Sequence, residues 1–202
     1  MNLANKLTLT RLGLSILFVV IFFIDNILAK FAALFIVILV ELTDLFDGKI
    51  ARSRKQVTNF GKLLDPAVDS MSRLIIFISF AVYNTQTSSF IAPIWSIRNI
   101  HLIPVWMVII LFIRDSVVSL LRSLAAYQNI IIHARASGKI KAVVQGFGII
   151  SILSLLILQH YFSSIPLNLI SYFIMLGVTI VTAWSCFDYV LGNKDILRKL
   201  ET

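Results

Sequence analysis

Apolar residues in this chain do not alternate with polar ones. They form long, nearly unbroken runs separated by short polar stretches. A helix needs about 20 mostly apolar residues to cross the hydrocarbon core of a bilayer. Six segments meet or approach that length: Thr8 to Ile24, Ala29 to Phe46, Pro66 to Tyr83, Leu102 to Ala126, Ile140 to Tyr161 and Pro166 to Leu191. The pattern predicts an all-α, polytopic membrane protein with six transmembrane helices. The first run is short in strictly apolar terms, so Asn2 to Leu9 is expected to form a short interfacial helix leading into it. Six spans leave no room for a folded soluble domain, and residues 1–202 read as a single membrane domain. The longest connection, Asn84 to His101, carries Ser, Thr, Asn and Pro with Trp95 and reads as an interfacial turn region. Trp95, Trp106 and Trp184 are expected to anchor at the interface or to pack.

Composition agrees, with 58% hydrophobic residues against 14% charged and a mean hydropathy of +0.92, more apolar than a soluble core requires. The net charge of +8 in such a chain points to topology and to anionic lipid or phosphate partners; nucleic acid is not expected as a partner. Thirteen of the 18 basic residues fall on one side if the spans alternate, and only Lys30 and Arg98 fall on the other. By the positive-inside rule, both termini and the loops near residues 48–65 and 127–139 are expected in the cytoplasm. No removable signal peptide is expected, because no small-residue cleavage site follows the basic start. Cys186 stands alone in an apolar stretch and reads as a small buried hydrophobe, which leaves no disulfide or thiolate metal site.

Ionisable residues in or beside spans are expensive and call for a functional explanation. Here they cluster. The cytoplasmic end of the second span reads Glu41-Leu-Thr-Asp44-Leu-Phe-Asp47-Gly48-Lys-Ile-Ala51-Arg52, and the third begins Gly61-Lys-Leu-Leu-Asp65-Pro66-Ala-Val-Asp69. Spacings of three and four place Asp44 with Asp47, and Asp65 with Asp69, on one face of each helix. The second and third spans are expected to pack side by side, bringing the four carboxylates together. Unpaired, these would repel, and either raised pKa values or bound cations would relieve them. Hard oxygen donors with no Cys or His nearby favour Mg²⁺, Mn²⁺ or Ca²⁺ over zinc, and four carboxylates suit two ions better than one. Gly48 and Gly61 permit close approach of a ligand to the backbone, and Arg52 offers a planar fork for phosphate. The bland alternative has these acids merely pairing with Lys49, Arg52, Lys55 and Lys62 at a helix boundary.

The pattern D-x-x-D-G-x-x-A-R-x8-G-x3-D-x3-D resembles the signature of the CDP-alcohol phosphatidyltransferase family, and all its fixed positions are filled here. The resemblance implies a six-span homodimeric fold, two divalent metals (Mg²⁺ or Mn²⁺), and displacement of CMP from a CDP-linked lipid by an alcohol. It implies Asp44, Asp47, Asp65 and Asp69 as metal ligands, with Asp69 also the general base on the incoming hydroxyl. It places Gly48, Ala51, Arg52 and Gly61 in the pocket for CDP-diacylglycerol.

Two further stretches bear on the alcohol. The fourth span holds Arg114-Asp115 and, later, Arg122, while the fifth opens with Gly138-Lys139-Ile140-Lys141 and reaches Gln145. Arg114, Arg122, Lys139 and Lys141 could form a second anion site, as an acceptor with its own phosphate would require. These stretches, with Asn5-Lys-Leu-Thr8-Leu-Thr-Arg11, resemble the phosphatidylglycerophosphate synthase branch of the family, which implies sn-glycerol 3-phosphate as acceptor. Inositol 1-phosphate, serine and inositol are the rival acceptors. Structural pairing of Arg114 with Asp115 or Asp69 is the bland alternative. The chain departs from the branch at Ser70, where Lys is usual, with Arg73 one turn later, and at Glu41, where small residues are common. A small cation transporter is the reading from a different class; it predicts acids spread through membrane depth, whereas these crowd one interface.

Overall fold

The computed structural model describes residues 3–53, 59–83, 102–127, 136–162, 164 and 166–194; side chains are described for 9–43, 68–83, 102–122, 136–162, 164 and 166–194. Within them lie six helices and no strand: α1 (Leu3–Phe22), α2 (Ile27–Ser53), α3 (Asn59–Val82), α4 (Val105–Tyr127), α5 (Ala136–Tyr161) and α6 (Leu167–Gly192). Each contains most of one expected span. The stretch expected to form a separate interfacial helix is instead continuous with α1, since nothing between Leu3 and Thr10 breaks a helix. The connection from Asn84 to His101, with Trp95, lies outside the described residues.

Local chemistry sets the boundaries. Between α1 and α2 the Asn26 side chain accepts a hydrogen bond from the Leu28 amide at 2.9 Å, capping the start of α2. Lys30 donates its ammonium to the Phe22 carbonyl, one of the acceptors left over at the end of α1. The same ammonium lies 4.7 Å from the Phe22 ring centre and 4.6 Å from that of Tyr83, just past the end of α3. One lysine therefore ties together three chain ends. At the opposite extreme of the chain, Asn193 closes α6 by donating to the Tyr189 carbonyl at 2.7 Å.

Packing follows a two-part plan. α1 lies along both α2 and α3, α6 lies along both α4 and α5, and α2 with α5 and α3 with α4 join the two groups. The first group is stitched by Phe18, Phe22, Phe77, Phe80 and Tyr83, whose rings meet mostly edge to face or tilted. In the second, a Cβ at Gly148 would come within 2.7 Å of a Val178 methyl, so the missing side chain lets α5 and α6 approach closely. The expected side-by-side pairing of the second and third spans is not what is found among the described residues. Both pack chiefly on α1, whose Phe18 and Phe22 meet Phe80 of α3, while α2 reaches α3 through Glu41 and Arg73.

The distribution of polarity is inverted relative to a soluble protein. Arg11, Ser15, Ser72, Arg73, Arg114, Lys141, Gln145, Thr182 and Ser185 are buried, while Phe35, Leu120, Phe147, Phe173, Ile180 and Phe187 are each at least 60% exposed. Exposed apolar surface on this scale matches lipid as the surrounding medium. α5 and α6 are each long and apolar enough to cross a membrane. An open apolar groove of about 470 Å³ runs between these two helices on the outer face, past Phe147 and Phe173. Trp106 and Trp184 are exposed, as anchors would be, while Cys186 is half-buried and not fully enclosed.

Replacing Lys30 by Met removes a charged hydrogen bond and two cation–π contacts while keeping the aliphatic stem. A loss of about 2 kcal/mol is expected, read as a drop of several degrees in the melting temperature in detergent.

Candidate functional site

The helices carry the motif to where it can act. Asp44 and Asp47 lie near the C-terminal end of α2, and Asp65 and Asp69 in the first half of α3. The helical path through both pairs supports the one-face spacing read from sequence. The side chains of Asp44, Asp47, Ala51, Arg52 and Asp65, and the surroundings of Gly48 and Gly61, lie outside the described residues. Among the described side chains no cluster of three potential metal ligands occurs.

Asp69 is the described acid of the motif, and it is part-exposed, with 28% of its side chain accessible. Its Oδ1 lies 3.2 Å from Arg73 Nη2, one turn along α3, and 3.8 Å from Nη1 of Arg11 on α1. Both arginines are buried, at 4% and 1% exposure. Arg73 is held on three sides: Nη2 also donates to Glu41 Oε2 of α2 at 3.4 Å, and Nη1 donates to the Ala142 carbonyl of α5 at 3.2 Å. The Glu41 carboxylate lies against Gly146, where a Cβ would come within 2.7 Å of its oxygen.

A second polar cluster joins α4, α5 and α6. Asp115 accepts from Arg114 Nη1 at 2.9 Å and from Lys141 Nζ at 2.7 and 3.0 Å. Arg114 Nη2 donates to the Ser185 hydroxyl at 2.8 Å, and Gly138 lies beside that guanidinium, where a Cβ would be 3.8 Å away. Nearby on the same helix pair, Ser137 donates to Asp188 at 2.6 Å, and Gln145 donates to Thr182 at 3.4 Å. One carboxylate therefore shares two buried cations. That leaves net positive charge in the Arg114–Asp115–Lys141 trio, so pairing with Asp115 does not exhaust its capacity for an anion.

The four basic residues read as one anion site do not all converge. Arg114 and Lys141 meet through Asp115, whereas Lys139 is exposed, two residues away and so on the far side of α5 from Lys141. Arg122 lies two turns beyond Arg114 and stacks over the Tyr189 ring at 5.6 Å. Sequence reasoning also missed participants. Arg11 enters the sequence reading with the basic start and as the end of the Asn5–Arg11 stretch, without a site role, and Asp188 does not enter it. The rule that flagged the other acids and bases, a charge inside an apolar run, applies to both.

A family model of CDP-alcohol phosphatidyltransferases matches residues 1–185. The chain belongs to the CDP-alcohol phosphatidyltransferase family. It is 30% identical to a Bacillus subtilis (strain 168) protein named CDP-diacylglycerol–glycerol-3-phosphate 3-phosphatidyltransferase, over 98% of this chain and 97% of the relative. Relatives of the same name occur in Rickettsia typhi, at 30% identity over 92% of this chain and 95% of the relative, and in Yersinia enterocolitica, at 27% over 98% of each. Membership makes the chain an enzyme of the phosphatidyltransferase class, sets the transporter reading aside, and, with lipid-type burial, makes it a membrane protein.

Replacing Asp115 by Ala would leave Arg114 and Lys141 facing each other without their shared acid. A destabilisation of about 3–5 kcal/mol is expected, the usual consequence of breaking a buried ion pair from one side. The check is thermal melting of the purified protein, in which Asp115→Ala should fall well below Lys139→Ala.

Proposed function

We propose that this enzyme transfers the phosphatidyl group of CDP-diacylglycerol to sn-glycerol 3-phosphate, forming phosphatidylglycerophosphate and releasing CMP. The observation that carries the reading is similarity along almost the whole chain to several relatives named for that reaction. The Arg114–Asp115–Lys141 cluster supports the choice of acceptor, because two buried cations sharing one acid can take a phosphate dianion. In this reading Arg114 and Lys141 bind the acceptor phosphate directly, and Arg122 and Lys139 attract it from further out. Inositol 1-phosphate, serine and inositol remain the acceptors to compare.

The acceptor hydroxyl oxygen attacks the phosphatidyl phosphorus. The bond from that phosphorus to the bridging oxygen breaks, and CMP departs with the electron pair. Asp69 accepts the hydroxyl proton, which its part-exposed carboxylate can reach. Gly48, Ala51, Arg52 and Gly61 line the nucleotide side, with Arg52 on the diphosphate. An all-oxygen donor set of Asp44, Asp47, Asp65 and Asp69 on two helix segments fits Mg²⁺ or Mn²⁺ and would hold two such ions. Those ions, when bound, would neutralise the diphosphate and the departing CMP.

The same reading has six membrane spans in one domain, both termini and the carboxylates at the cytoplasmic face of the cell membrane, and a homodimer. Six helices among the described residues and the basic bias of the termini support the spans and their orientation, and the homodimer rests on family membership.

Purified protein with CDP-diacylglycerol and Mn²⁺ should release CMP with glycerol 3-phosphate at least about 100-fold faster than with serine or inositol, as expected where a site is built to hydrogen-bond a group the rivals lack. Asp69→Asn should abolish release while the protein stays folded, melting cooperatively at a temperature lowered by the loss of charge beside Arg73 and Arg11. Equal rates with all acceptors would remove the acceptor assignment, and wild-type turnover in Asp69→Asn would remove the base.

A further inference from the structure

Arg73 stands between two acids. Its Nη2 is 3.2 Å from Asp69 and 3.4 Å from Glu41, and its Nη1 is fixed on the Ala142 carbonyl, so the guanidinium has little freedom to turn. A buried cation this close to Asp69 competes with any other cation for its charge. Glu41 takes a share of that attraction from the opposite helix. Its carboxylate can lie there only because residue 146 is glycine, since a Cβ would come within 2.7 Å of its oxygen.

We infer that Glu41 is a positioning residue that acts through Arg73 to keep the Asp69 carboxylate oriented yet available to a divalent cation, with Gly146 providing the space. This rests on the proposed role of Asp69 in holding the metal. Arg73 fixes where Asp69 points; Glu41 limits how strongly Arg73 holds it. The two therefore act in opposite senses on cation affinity, although both support turnover. A bridge that merely held α2, α3 and α5 together would not show that opposition, because loss of either partner would weaken the same contact.

The test is Mn²⁺ binding to the purified full-length protein without substrate, followed by the electron paramagnetic resonance signal of free Mn²⁺, with melting temperature measured alongside. Glu41→Gln removes the charge that competes with Asp69 for Arg73 Nη2 and should weaken Mn²⁺ binding by roughly tenfold, within the range for coupled neighbouring charges. Arg73→Gln sets two carboxylates side by side and should tighten Mn²⁺ binding by roughly tenfold, while turnover falls as Asp69 loses its orientation. Because Glu41 acts through Arg73, the double variant should bind Mn²⁺ as Arg73→Gln does, and a purely additive result would count against the coupling. Gly146→Ala, which displaces the Glu41 carboxylate, should follow Glu41→Gln and gives an independent route to the same state. Shifts in the same direction for both single variants, or no shift in either while the wild type binds Mn²⁺, would overturn the inference and leave the proposed reaction standing. A wild-type protein that takes up no Mn²⁺ would sink both.

Discussion

Lipid cannot solvate a charge, and this fold is organised around that constraint. Arg11, Arg73, Arg114 and Lys141 are all buried, and the described partners of the last three are oxygens supplied by neighbouring helices or by the next turn. Such pairs contribute modestly to net stability, because desolvation offsets much of the attraction. Their stronger effect is on specificity: a helix shifted by one turn would leave a charge without its partner in a medium that offers no substitute. The charged clusters thus fix the register in which otherwise similar apolar helices pack.

The two clusters are divided between the two groups of helices. Asp69, Arg73, Arg11 and Glu41 belong to α1, α2 and α3, and Arg114, Asp115, Lys141 and Ser185 belong to α4, α5 and α6. α5 connects them, because Ala142 accepts from Arg73 while Lys141, its neighbour in sequence, reaches Asp115. Adjacent residues of one helix thus touch the cluster around Asp69 and the cluster around Asp115.

Much of this was legible in the sequence. The six apolar runs correspond to six helices among the described residues, and two of these, α5 and α6, are long and apolar enough to cross a membrane. The motif acids were legible because carboxylates at a span boundary are rare and their three- and four-residue spacing is helical. Partner choice was not legible: the connection between Ser53 and Asn59 is short enough for a hairpin, yet both α2 and α3 pack chiefly on α1, whose Phe18 and Phe22 meet Phe80 of α3. Nor could spacing alone separate Lys139 from Lys141, since two residues on a helix differ by more than half a turn, and one faces out while the other is buried. Arg11 was hidden by its position near the basic start, where a charge normally reports topology.

The lysine latch at the end of α1 joins residues that all precede position 84, as does the aromatic core beside it. These leave the ribosome first. A three-helix subassembly can settle in the bilayer while the rest of the polypeptide is still being synthesised, with its acids already paired to Arg11 and Arg73. The cluster around Asp115 draws on α4, α5 and α6, so it can form only once those later helices have joined the first three.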